Sequence, residues 1–157
     1  MECWEKDEPT RVFSREFAHS AAPRSTKLAL VEKFPSERIL GGIGTLYCGE
    51  IGLLKVNHQT HAVVDEFKFL RLLKNSKTGV VACPSHTVFR RWEIKKKQIA
   101  LSKGGRVYLG VWNSEKHYKK DHPWVCFKNG KDRTEDVKEI AKPIPKRPDI
   151  RMGFIVV

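Results

Sequence analysis

Residues 50–68 read EIGLLKVNHQTHAVVDEFK, and two runs with strand character meet there across a polar turn. Ile51, Leu53 and Val56 fall close to a period of two, and residues 61–69, HAVVDEFKF, form a second run rich in β-branched and aromatic residues. Asn57-His58-Gln59-Thr60 separates them, so the unit reads as a β-hairpin. On its second strand Glu66 and Lys68 lie two apart and share a face, while Asp65 and Phe67 share the other. Glu50, at the mouth of the first strand, falls beside that pair in this reading. Two carboxylates and a lysine at one end of a hairpin supply oxygen ligands for a hard cation such as magnesium and a positive neighbour for phosphate charge. The same residues equally suit the solvated face of a half-buried strand.

At 157 residues, with 40% hydrophobic and 10% aromatic side chains, the chain has the size of one domain with a real core. No apolar run approaches the roughly twenty residues that span a bilayer. The opening MECWEKDEP carries acids where a signal peptide carries basic residues and then an apolar stretch. The expectation is an intracellular protein, cytoplasmic or nuclear rather than secreted, with no membrane partner. Thirty Lys plus Arg against 18 Asp plus Glu give a formal charge of +12, which draws polyanions over a screening length of about 10 Å at ordinary salt. Nucleic acid, DNA or RNA, is the first partner this charge suggests. An acidic membrane surface competes less well, because the basic residues are spread along the chain and form no amphipathic helix with a wide apolar face.

Cys3, Cys48, Cys83 and Cys126 are far apart and have no secretory context, so reduced thiols are expected rather than a disulfide framework. Cys83 with His86, and His122 with Cys126, offer two sulfurs and two imidazoles of the kind a tetrahedral zinc takes. Neither half is specific, since a cysteine also serves as a small buried hydrophobe.

Residues 1–26 are polar and mixed and are expected to be a mobile N-terminal segment, leaving 27–157 as a single basic domain. Residues 26–34, TKLALVEKF, suggest one or two helical turns ended by Pro35. Residues 39–47, ILGGIGTLY, suggest a strand bent at its glycines. Beyond the hairpin, Leu70 to Lys74 is expected to continue the second strand, and Val80-Val81-Ala82 adds another. Ser85 is a suitable N-cap for a helix over His86 to Ser102, with Phe89, Trp92, Ile99 and Leu101 on one side and Arg90, Arg91, Lys95, Lys96 and Lys97 on the rest. Gly104 and Gly105 stop it, and RVYLGVW, Arg106 to Trp112, is the clearest strand in the chain. A short strand over Trp124 to Lys128, a helix after Thr134 over Glu135 to Ala141, and a last strand from Met152 to Val157 complete the reading. The class is α+β: one mixed sheet with a central β-hairpin and two or three flanking helices.

Glu50, Glu66-Phe67-Lys68, Gln98-Ile99-Ala100-Leu101, Gly104-Gly105 and the strand to Trp112 together resemble the core of the PD-(D/E)xK nucleases, the last part being most similar to Holliday-junction resolvases. The resemblance covers about half of the chain. It implies a magnesium-dependent endonuclease cutting DNA or RNA, with Glu50 and Glu66 holding the ion and Lys68 steadying the attacking water; a junction-cutting enzyme also needs two active sites and hence a homodimer. The other reading is a noncatalytic nucleic-acid-binding protein of viral or regulatory type. There, Arg90, Arg91, Lys95, Lys96, Lys97, Lys116, Lys119 and Lys120 meet phosphates, and Tyr118 stacks on a base. Trp92 and Trp112 are expected in the core, as large aromatic side chains mostly are.

Overall fold

The computed structural model describes residues 2–5, 8–12, 21–85, 91–112, 123–140 and 152–156. Two short strands, β1 (Glu2–Glu5) and β2 (Glu8–Val12), pair antiparallel. Helix α1 (Arg24–Glu37) follows. It keeps Pro35 inside its last turn instead of ending there, because Leu30 and Phe34 anchor that turn in the core and the Arg38 amide donates back to the Phe34 carbonyl at 2.9 Å. Strands β3 (Ile39–Leu40) and β4 (Ile43–Thr45) are joined by Gly41-Gly42, both at positive φ, as a two-residue hairpin turn of this tightness requires.

Residues Cys48–Leu53 form a 3-10 helix where strand was expected. The local cause is Glu50: its amide donates to the Tyr47 carbonyl at 2.9 Å, and its carboxylate accepts the Tyr47 amide at 2.8 Å, which closes the turn from both ends. The hairpin itself is present as β5 (Lys55–Val56) and β6 (Val63–Val64), standing as a separate two-stranded ribbon beside the main sheet. Leu70 to Lys74 belongs to helix α2 (Phe69–Asn75) and not to a strand. Asp65 decides this, since Oδ1 accepts the Phe69 amide and Oδ2 the Leu70 amide, each at 2.8 Å. With those two donors satisfied, Phe69 and Leu73 pack inward one helical turn apart.

Strand β7 (Val80–Ser85) runs into residues outside the description, and α3 (Trp92–Ser102) begins later than the sequence suggests. Ser85 ends its strand by donating to the Val111 carbonyl at 3.3 Å, and the residues it was expected to cap, 86–90, lie outside the described residues. Strands β8 (Val107–Trp112) and β9 (Trp124–Lys128) match expectation, and β10 (Lys131–Asp132) turns back on β9. After Thr134 there is only a 3-10 turn to Asp136, because the Thr134 hydroxyl is held by Asp132 at 2.8 Å and by the Cys126 amide at 3.1 Å. Strand β11 (Lys138–Ile140) then pairs with β12 (Met152–Phe154).

The main sheet has the order β10-β9-β8-β7-β4-β3, with β4, β7 and β8 parallel and the outer pairs antiparallel. Parallel neighbours need crossovers, supplied by the ribbon with α2 and then by α3. Side chains alternate between two layers. Val81, Cys83, Tyr108 and Phe127 face Leu30 and Phe34 of α1, Phe69 and Leu73 of α2 and Leu101 of α3. Val107, Trp124 and Cys126 face the other way, against Val137 and Ile155 beside the β11–β12 ribbon. The fold is α+β, a single domain built on a mixed six-stranded sheet.

Candidate nucleic-acid interface

Glu50 and Glu66 sit in different surroundings. Glu50 is 1% exposed; Oε1 accepts from Arg38 Nη2 at 3.1 Å and Oε2 from the Tyr47 amide. The Arg38 guanidinium also lies 4.8 Å over the Tyr47 ring. Glu66 is on the surface. Because Lys55 pairs with Val64 across the ribbon, Glu66 is its diagonal neighbour, and the two make a 2.9 Å ion pair, with Arg24 at 3.7 Å on the other oxygen. The bond from Lys55 holds the Glu66 carboxyl below its usual range against an opposing desolvation, and the Lys55, Arg24 and Lys27 charges add to the lowering.

Lys68, exposed, has φ 56° and ends the turn from which α2 starts. The donor set therefore does not fit a magnesium ion shared by Glu50 and Glu66: one carboxylate is enclosed with both oxygens engaged, and the other is held between two cations. Among the described residues no three His, Cys, Asp or Glu side chains gather into a metal group. Cys83 and Cys126 are both fully buried but on opposite faces of the sheet, so the structure does not bring their sulfurs together; His86 and His122 lie outside the described residues.

The start of α3 is different. Trp92, expected in the core, is 41% exposed, and Arg91, Lys95 and Lys96 are exposed around it. Two imidazoles from the ribbon tip meet its indole: His61 with ring centroids 4.8 Å apart and a 44° tilt, His58 at 5.6 Å and 87°. The tip is pre-shaped, since Asn57 Oδ1 accepts the Gln59 and Thr60 amides at 2.8 and 3.0 Å and the Asn57 amide donates to the Ala62 carbonyl at 2.9 Å. His61 itself adopts φ 55°, a conformation that histidine tolerates better than most side chains.

Further along α3, Lys95 pairs with Asp132 at 3.2 Å, tying the helix to β10. Lys97 is half-buried; desolvation lowers its pKa, Glu93 partly restores it and the Lys27 charge lowers it again. Arg90, Lys116, Tyr118, Lys119 and Lys120 lie outside the described residues. The sequence reading missed His58 and His61, although a turn carrying two histidines next to a hairpin strand was a visible sign of an unusual tip.

No helix of the described residues is long and apolar enough to cross a membrane. Comparison with known proteins finds no family model, no curated protein and no solved structure that matches the chain.

Proposed function

We propose that this protein binds nucleic acid, and does so without cutting it, through the face formed by the first turns of α3 and the neighbouring ribbon. The observation that supports this is the exposed pair Arg91 and Lys96 at one end of a helix, beside Lys95, whose charge is shared with Asp132, in a chain of formal charge +12. Cations displayed in this way neutralise successive phosphates and release their counterions, the main source of sequence-independent affinity. Binding rather than cleavage is the reading the geometry favours, because Glu50 is committed to Arg38 inside the core and Glu66 to Lys55 and Arg24.

The test is a binding titration over a range of salt, on single-stranded and duplex DNA and RNA, for the unaltered protein and for Arg91→Ala and Lys96→Ala. Each substitution should lower the slope of log affinity against log salt by about 0.7 to 0.9, one phosphate contact each. A slope near zero for the unaltered protein sinks the proposal. Magnesium-dependent cleavage in the same tubes, lost on Glu66→Gln, would return the nuclease reading.

A further inference from the structure

We infer that Trp92, with His58 and His61 against it, is a base-stacking site, so that the ligand of the basic face is nucleic acid with unpaired nucleotides. This rests on the reading that the α3 face binds nucleic acid. An indole is among the costliest side chains to leave in water, yet Trp92 keeps 41% of its surface exposed while two other rings touch it. The contacts therefore fix the ring without hiding it. His58 and His61 come from one turn whose backbone is closed by Asn57, and His61 holds a left-handed conformation there. Ordering a ring in advance lowers the entropy cost of stacking a flat ligand on it. Arg91 precedes Trp92 in sequence, and Lys96 follows one turn on, so phosphates flanking a stacked base meet cations on the same helix. Bases in a duplex are already stacked and paired and present no free face to an indole. That is why the aromatic cluster selects unpaired nucleotides where lysines alone would not.

The bland alternative is that the three rings only pin the ribbon tip to α3. An abasic single strand, which keeps the phosphates and lacks the bases, separates the two. Affinities are measured by fluorescence anisotropy for a single strand, an abasic strand of equal length and a duplex, with the unaltered protein, Trp92→Leu and Trp92→Phe. Trp92→Leu should weaken single-strand binding by about 5-fold to 150-fold, the range of a single base–aromatic stack. It should leave the abasic strand and the duplex unchanged, and Trp92→Phe should keep most of the single-strand affinity.

Equal single-strand binding by Trp92→Leu overturns the stacking inference while the basic face stands. Equal weakening on all three ligands also overturns it and leaves Trp92 as a structural pin. No binding of any ligand by the unaltered protein removes the nucleic-acid reading itself. Should Trp92→Leu not fold, tryptophan quenching decides. A quench by the single strand that is lost in Trp92→Phe supports stacking, and an identical quench in both proteins overturns it.

Discussion

Arg38 Nη2 donates to Glu50 Oε1 at 3.1 Å with both side chains enclosed, which fastens the end of α1 to the 3-10 turn after β4. Removing one member of a buried pair strands the other charge in the core. Glu50→Ala should therefore cost about 3 to 5 kcal/mol, read as a lower urea midpoint at unchanged m-value. Arg38→Met with Glu50→Leu should cost clearly less than the two single changes added together, since neither charge is then left behind. A midpoint unmoved by Glu50→Ala would show that the pair contributes nothing to stability.

Lys68 carries a left-handed backbone where most side chains are penalised by about 1 to 2 kcal/mol. Glycine removes that penalty but loses up to about 1 kcal/mol more entropy on folding. Lys68→Gly is therefore expected to be neutral or to stabilise by up to about 1 kcal/mol in thermal or urea unfolding, with nucleic-acid binding unaltered. A loss of stability would mean that the lysine side chain makes contacts beyond its exposed position.

Tyr108 lies fully buried beneath α3, and desolvation, reinforced by Cys83, raises its phenol well above the ordinary value of 10.0. The native state thus keeps the proton while the unfolded chain gives it up near pH 10. The contribution to stability is complete below that pH and is lost as the pH climbs toward the folded-state pKa. In an alkaline spectrophotometric titration one of the three tyrosines should ionise only together with unfolding. A Tyr108 that titrates reversibly in the folded protein would contradict this.

Gly110 is a glycine by necessity of packing. A Cβ there would meet Val125 Cγ2 at 2.9 Å and Tyr108 Cε1 at 3.3 Å. Gly110→Ala should destabilise by about 1 to 3 kcal/mol, and Val125→Ala in the same chain should recover part of the loss. Equal costs in both backgrounds would place the clash elsewhere.

The strands β8 and β9 were legible because RVYLGVW and WVCFK are runs that suit a sheet buried on both faces, with glycine punctuation on either side. Helix α2 was not, because FLRLLK after a strand-like run satisfies either period. The choice falls to Asp65, whose two oxygens take the first amides of the helix. Glu50 misled for a related reason: at the mouth of a strand a carboxylate reads as exposed, and only the chain's return past the end of α1 supplies Arg38 as its buried partner. The Trp92 cluster is assembled from a turn and a helix start distant in sequence: the two histidines mark the turn, but no local pattern announces that they meet the indole.

Cys83 and Cys126 lie on the two faces of one sheet, each sealed in its own apolar layer. The chain thus carries a built-in pair of clocks. A thiol reagent reaches Cys126 when the cover formed by Val137 and Ile155 lifts, and its attack is slowed further because burial and the Asp132 and Asp136 charges keep that thiol protonated. It reaches Cys83 only when the helices part from the sheet. The ratio of the two labelling rates in the untouched protein reads how independently the two sides of the molecule breathe.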